Sequence, residues 1–209
     1  MASQGVQMLG VTMTLIGWLM VIVVCALPMW KVAAFIGANI ITAQLIWQGI
    51  WMNCVVQSTG QMQCKIYDSV LALPEDLQAA RGMIVMSVVT GICGVIVSII
   101  GGKCTNCIED MQTKAKACIL AGVCFMISGL LCLIPVSWTA YTIITNFYNP
   151  LLNESQKYEF GAALYIGWAA AALLLMGGGL LCWNCPPKNE HYAPKFTPVR
   201  SMATSREYV

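Results

Sequence analysis

The chain contains 11 cysteines, and the spacing of several of them is compatible with a disulfide, a metal site or acylation. Cys54 and Cys64 flank the segment 55–63, which reads as a β-hairpin with Gly60 at the turn position that requires a positive φ. The predicted register places the two cysteines directly opposite each other, within disulfide range. Two free thiols are the alternative, which an oxidising compartment disfavours.

Two further cysteine pairs have C-x2-C spacing, Cys104 with Cys107 and Cys182 with Cys185. Two such pairs can form a zinc site. Each pair also lies beside a long apolar stretch, and cysteines next to a membrane are common targets of palmitoylation. Inert thiols are the third alternative. The position favours palmitoylation over a metal, and we predict no metal site.

Catalytic chemistry has little support in the sequence. The single histidine, His191, lies in a polar tail, and no nucleophile can be paired with a general base. We therefore predict a protein without cofactors that is not an enzyme. The net charge of +2 also gives no reason to expect nucleic acid as a partner.

The elements that position these cysteines are membrane spans and the segments that connect them. Only 10% of the residues are charged and 58% are hydrophobic, whereas soluble domains carry roughly 25% charged residues. A span needs about 20 mostly apolar residues, and the chain supplies four such segments. We predict an α-helical transmembrane four-helix bundle with spans at 6–28, 82–102, 117–135 and 161–183.

The positive-inside bias sets the orientation of these spans. Seven of the 11 basic residues lie in the short loop 103–116 and the tail 184–209. The other four lie in the loops 29–81 and 136–160. We therefore expect the two longer loops outside the cell, with the short loop, the tail and residues 1–5 in the cytoplasm.

The first outer loop is strand-like. Residues 30–35 and 40–47 are rich in β-branched and aromatic side chains, which predicts a small extracellular antiparallel β-sheet together with the hairpin. Leu73–Asp76 predicts a helix start that leads into the second span. The four spans contain no ionisable residue, which disfavours a channel through the bundle. Their small residues indicate close helix packing, either within the chain or between copies.

The chain resembles the claudin family. Trp30, the triplet Gly49–Trp51, Cys54, Cys64 and Arg81 match the family signature W…GLW-x2-C…C and the arginine that enters the second span. Ile50 stands where the family has leucine, a volume-conserving change. The resemblance covers essentially the whole chain and is close to the claudin-four-like members.

The resemblance implies a plasma-membrane protein of the tight junction. It implies assembly with itself and other claudins, in cis and in trans, into strands that seal or select in the paracellular space. In that assembly Val70 inserts into a neighbour's pocket formed by Phe147, Tyr148 and Phe160. From the residues alone, packing of these aromatic side chains on their own sheet is an open alternative. The competing function is an auxiliary subunit of an ion channel.

Selectivity is expected to come from charges in the outer loops, because the bundle offers none. Lys65 and Asp68 follow the uncharged hairpin, and by resemblance they lie along the paracellular surface. The charges of the first loop sum to zero. We predict a barrier, or a weakly anion-preferring path set by Lys65. Ordinary solvated surface charges are the alternative.

Three further partners follow from short segments. The end Tyr208-Val209 suits PDZ scaffold proteins of the zonula occludens type, which bind a free carboxylate after an apolar side chain. The stretch Asn149, Pro150, Leu151 and Leu152 resembles the site at which some claudins bind a bacterial enterotoxin. Asn153 begins a glycosylation sequon. Membrane lipid surrounds the spans.

Overall fold

The computed structural model describes residues 4–36, 43–57, 60–69, 73–101, 111–151 and 157–184. Within these ranges each of four helices is long and apolar enough to cross a bilayer, which confirms the predicted bundle. The elements, in chain order, are α1 (Gln4–Ala26), β1 (Lys31–Ile36), β2 (Ala43–Gln48), β3 (Met52–Val56), β4 (Met62–Ile66), α2 (Glu75–Gly101), α3 (Met111–Phe147), β5 (Glu159–Phe160) and α4 (Ala162–Asn184).

The bundle packs through small residues. Helix α4 packs against α1 and α3, α3 packs against α2, and a weaker contact between α1 and α2 closes the ring. A Cβ at Gly122 would lie 2.8 Å from the carbonyl oxygen of Gly178, so α3 and α4 approach backbone to backbone. The buried hydroxyls of Ser87 and Ser128 lie 3.0 Å apart and join α2 to α3. These contacts show that the small residues of the spans allow close helix packing within one chain.

Helix α3 extends well beyond the predicted span 117–135. It continues through Pro135 to Phe147, so residues 136–147 of the predicted outer loop 136–160 are helical. Pro135 has no backbone N–H and cannot donate a helical hydrogen bond. The helix nevertheless continues, because the residues that follow along one face are buried in the bundle. These residues are Val136, Thr139, Ala140 and Ile143. Where the lipid ends on each helix stays a prediction.

The predicted sheet is present and has five antiparallel strands in the order β4-β3-β2-β1-β5. Four strands come from the first outer loop, and β5 comes from the end of the second, which the sequence did not indicate. Residues 40–42 of the predicted second strand lie outside the described residues. Helix α2 begins at Glu75 and runs on into the second span, as predicted from Leu73–Asp76.

Candidate functional site on the outer sheet

The hairpin has the predicted register and the predicted disulfide. Cys54 pairs with Cys64 across β3 and β4, with 4.0 Å between their Cα atoms. Gly60 has a φ of +79°, a conformation that glycine adopts without steric cost. The bond therefore holds β3 to the edge strand β4.

Two tryptophans fasten the sheet to the end of α1. The indole Nε1 of Trp30 donates to the carbonyl oxygen of Val24 at 3.1 Å, and that of Trp51 donates to Cys25 O at 2.8 Å. The last carbonyls of a helix have no partner within the helix, so the two indoles satisfy them. Trp30 is completely buried. The signature tryptophans therefore position the sheet on the bundle.

The other signature residues meet at the same place. The guanidinium of Arg81 lies over the Trp51 ring, 4.0 Å from its centroid. A Cβ at Gly49 would overlap the backbone of Pro28, so only glycine fits. Ile50, which replaces the leucine of the signature, is fully buried. Sequence reasoning named these residues, and the structure brings them together at the junction of sheet and bundle.

A buried ion pair at this junction was missed by sequence reasoning. Lys31 Nζ lies 2.5 Å from Asp76 Oδ2, and the two side chains are only 6% and 8% exposed. The ammonium also lies 6.0 Å from the Tyr158 ring centroid. Asp76 was interpreted only as an acid favourable at a helix start. The available signal was the alternation in β1, which places Lys31 on the same face as the buried Ala33.

A row of polar side chains crosses the sheet from this junction to its free edge. Lys31 pairs with Gln48, Gln48 with Asn53, and Asn53 with Lys65. Directly opposed residues point to the same face. The row therefore places one lysine at the bundle and another on the edge strand β4.

The lysine at the free edge also has an aspartate partner. Lys65 Nζ donates to Asp68 Oδ2 at 2.7 Å, and the side chains are 78% and 79% exposed. This hydrogen bond to a carboxylate raises the pKa of the Lys65 ammonium. Both residues line an open groove of about 520 Å³. The two predicted charge residues thus form one exposed pair.

A second cleft, of about 340 Å³, lies at the outer end of α3. The structure brings Phe147, Tyr148 and Phe160 together in its lining, as the resemblance implies. Phe147 contacts Tyr148 edge to face, with 5.7 Å between ring centroids, and Lys157 Nζ lies 5.5 Å from the Phe147 ring centroid. Val70, the proposed knob, lies outside the described residues.

Comparison with known proteins gives the family. A model of the PMP-22/EMP/MP20/Claudin family matches residues 4–181. The chain is 59% identical to Homo sapiens claudin-4 over 206 residues, covering 98% of this chain and 99% of claudin-4. It is 60% identical to Danio rerio claudin-like protein ZF-A89 over 203 residues, 96% and 97% of the two chains. The chain belongs to the claudin family.

A Canis lupus familiaris claudin-3 adds to this, at 60% identity over 192 residues, 92% of this chain and 88% of claudin-3. The claudins are structural proteins of the tight junction, and this chain is therefore a multi-pass tight-junction claudin. These relatives favour the junction protein over the channel subunit.

Exposed aromatic residues lie near both ends of α4 and on the outer part of α3. Tyr165 and Trp183 are exposed near the two ends of α4, and their separation along the helix is about 27 Å at 1.5 Å per residue. That length matches a hydrocarbon core of about 30 Å with aromatic side chains at both interfaces. On α3, Trp138 is exposed at the outer level. The part of α3 beyond Trp138 is about 14 Å long.

The structure describes some of the residues predicted for toxin binding, palmitoylation and PDZ binding. Asn149 Oδ1 accepts a hydrogen bond from the backbone N–H of Leu151 at 3.0 Å, and the Leu151 side chain is 90% exposed. Cys182 Sγ donates to Ile119 O at 3.7 Å, between α4 and α3. The others lie outside the described residues: Leu152, Cys104, Cys107, Cys185, Tyr208 and Val209.

Proposed function

We propose that this claudin polymerises into strands, in cis and in trans with itself and other claudins, and closes the paracellular space with its outer sheet. The observation that carries the proposal is the aromatic surface on the outer end of α3. Phe147 is 45% exposed and Tyr148 is 79% exposed, and both lie two or more helical turns beyond Trp138, which we take as the lipid boundary on α3. Exposed apolar patches in water are typical of protein interfaces.

The alternative is that these aromatic side chains pack within their own chain, and Phe160 does so, although on helix α4 and not on the sheet. Phe160 packs edge to face against Tyr165 and Trp168, with ring centroids 6.3 and 6.2 Å apart. Phe147 and Tyr148 retain large exposed surfaces. The cleft between them and Phe160 is therefore our proposed receptor for the Val70 segment of a neighbour.

Expression in fibroblasts without junctions, imaged by freeze-fracture, tests this proposal. We expect wild-type protein to form strands and Tyr148→Ala to weaken self-association about 30-fold, which corresponds to an aromatic hot spot of about 2 kcal/mol. Leu130→Ala is the matched control, because Leu130 is exposed on the same helix but lies within the predicted lipid. Dispersed wild-type particles would contradict the proposed function. Normal strands with Tyr148→Ala would show that the cleft is not needed for polymerisation.

We propose that the sealed space behaves as a barrier, or as a weakly anion-preferring path set by Lys65. The support is the position of the Lys65 ammonium, exposed on the groove of the outer sheet rather than inside the bundle. Ions within a screening length of about 8 Å feel such a charge.

The partners inferred from short segments also belong to this proposal. The Tyr208-Val209 end suits a PDZ scaffold of the zonula occludens type, and the exposed Leu151 favours a loop tip that an enterotoxin could bind. Palmitoylation is proposed for the cytoplasmic cysteines. Among them, Cys182 would have to break its contact with Ile119 O to accept an acyl chain.

A further inference from the structure

We propose that the cleft at the outer end of α3 binds the phosphocholine headgroup of a lipid in the outer leaflet. In this arrangement the quaternary ammonium lies against the aromatic rings of the cleft and beside Glu159, and the phosphate faces Lys157. The assignment goes beyond the proposed function, because it concerns the single protomer in its own membrane. The Val70 segment of a neighbour then has to displace the headgroup when it docks.

The lining of the cleft is rich in aromatic rings. The faces of such rings attract cations electrostatically, and aromatic cages are the usual recognition sites for quaternary ammonium groups such as choline. Three of the rings in the lining, those of Phe147, Tyr148 and Tyr165, keep large exposed surfaces. The aromatic residues of the lining are Phe147, Tyr148, Tyr158, Phe160 and Tyr165. The cleft therefore brings several accessible rings to one space of headgroup size.

Two of these rings already lie within reach of an ammonium group of the protein. Lys157 Nζ lies 5.5 Å from the Phe147 ring centroid, and Lys31 Nζ lies 6.0 Å from the Tyr158 ring centroid. Attraction between a cation and a ring extends to about 6 Å. Lys31 is neutralised by Asp76 inside the protein. Lys157 forms no ion pair with the described residues, so its charge is available to a phosphate.

The charges around the rings match a zwitterion. Among the described residues that line the cleft, Glu159 alone carries a formal charge, and it is exposed. The Lys157 ammonium lies beside Phe147, which belongs to the same lining. Anionic lipids of the plasma membrane lie in the cytoplasmic leaflet, so the headgroups next to an outer cleft are mainly zwitterionic. One acid and one base beside the rings fit one ammonium and one phosphate.

Choline fits this lining better than ethanolamine, which has the same two charges. A primary ammonium has three N–H donors and is strongly hydrated, whereas a quaternary ammonium has no donor. Transfer of the primary ammonium from water onto aromatic rings leaves those donors without partners, which costs free energy. The quaternary group loses less and gains the same contact with the rings. The cleft is therefore expected to select choline lipids.

The size and the level of the cleft agree with a lipid headgroup. Its volume of about 340 Å³ lies at the lower end of the range for ligand pockets, about 300–1,000 Å³. Ile144, which lines it, lies about 9 Å along α3 beyond Trp138, which we take as the lipid boundary. The headgroup layer adds about 5–8 Å outside the hydrocarbon on each side. Tyr165 of the outer aromatic belt also lines the cleft, so the cleft reaches down to the headgroups.

Lipid retention on the purified full-length protein tests the selection of choline. The protein is equilibrated in a maltoside detergent with equal amounts of phosphatidylcholine and phosphatidylethanolamine that have identical acyl chains, and bound lipid is read by native mass spectrometry. We expect wild-type protein to retain about fivefold more choline lipid, and Tyr148→Leu to reduce this preference about threefold. Tyr141→Leu is the matched control, because Tyr141 is an exposed tyrosine of the same helix outside the cleft; its preference should equal that of the wild type.

Soluble ligands test the arrangement of the charges. Choline and phosphocholine are titrated separately into the same protein in maltoside by calorimetry. Glu159→Gln should weaken both about threefold, because the ammonium loses its carboxylate. Lys157→Gln should weaken phosphocholine about threefold but strengthen choline about twofold, because the same charge attracts the phosphate and repels the free cation. Glu75→Gln removes an exposed acid outside the cleft and should change neither affinity.

The outcomes separate this inference from the proposed function. Equal retention of the two lipids by the wild type would overturn the inference, as would a preference that Tyr148→Leu leaves intact. Binding of soluble phosphocholine without a preference among lipids would overturn the assignment to a membrane lipid. Effects of the same sign on choline and phosphocholine with Lys157→Gln would contradict the placement of the phosphate. Absence of strands in fibroblasts would defeat the proposed function alone, because these measurements are made on single protomers.

Discussion

The outer sheet has two ends, and each carries a lysine paired with an aspartate. At the bundle, the Lys31–Asp76 pair is 6% and 8% exposed; at the free edge, the Lys65–Asp68 pair is 78% and 79% exposed. The residue types are the same and both lysines belong to one polar row. Burial alone separates them. Loss of one partner from a buried pair leaves an uncompensated charge and is strongly destabilising, whereas an exposed pair is screened by water and contributes little to stability.

The surroundings of the two pairs differ in the same way. At the bundle the sheet is fastened by two indole hydrogen bonds and by the backbone of Gly161, whose N–H donates to Trp30 O at 3.1 Å. At the free edge every residue of β4 is exposed, and the disulfide is its covalent link to β3. Stability is therefore concentrated at the junction, and the free edge is available for function.

The largest effect is expected from Gly161→Ala. An added Cβ would overlap the carbonyl oxygen of Met29, and relief of this overlap would break the backbone hydrogen bonds that join the two outer loops. We expect a loss of about 4 kcal/mol from overpacking and lost hydrogen bonds, measured as thermal unfolding in detergent. Gly82→Ala is the control, because space beside Gly82 is open. Equal melting temperatures for the two variants would contradict the assignment of the junction.

The next largest effect is expected from Lys31→Met, which leaves the Asp76 carboxylate buried without its partner. The expected loss of unfolding free energy is about 3 kcal/mol, again measured by thermal unfolding. Replacing both partners, in Lys31→Met/Asp76→Leu, should recover most of this loss because no charge stays buried. If the double variant is no more stable than the single one, the ion pair is not the source of the effect.

The smallest effect on stability is expected at the free edge. Lys65→Gln should leave the melting temperature at its wild-type value, because the exposed pair is screened by water and salt. The same measurement on Lys31→Gln should show a clear decrease. A comparable decrease in melting temperature for both variants would contradict the conclusion that only the buried pair contributes to stability.

Local features of the sequence were sufficient for part of this description. The hairpin register, the disulfide and the start of α2 follow from Gly60, the spacing of Cys54 and Cys64, and the residues Leu73–Asp76, because each depends on neighbours in the chain. The extension of α3 past Pro135 could not be predicted in this way. It depends on burial of Val136 and Ile143, which is a property of the packed bundle.

The sequence by itself determined four apolar helices and an outer loop stapled by one disulfide, because hydropathy and turn chemistry act over a few residues. Only the tertiary structure decided which charges meet and which of them water reaches. Lys31 and Asp76 are far apart in the chain and meet only because the fold brings the start of β1 to the start of α2. Lys65 and Asp68 are close in the chain, yet their exposure depends on the groove that the folded sheet leaves open. Burial is set by the whole fold, and it separates a structural lysine from one that faces water.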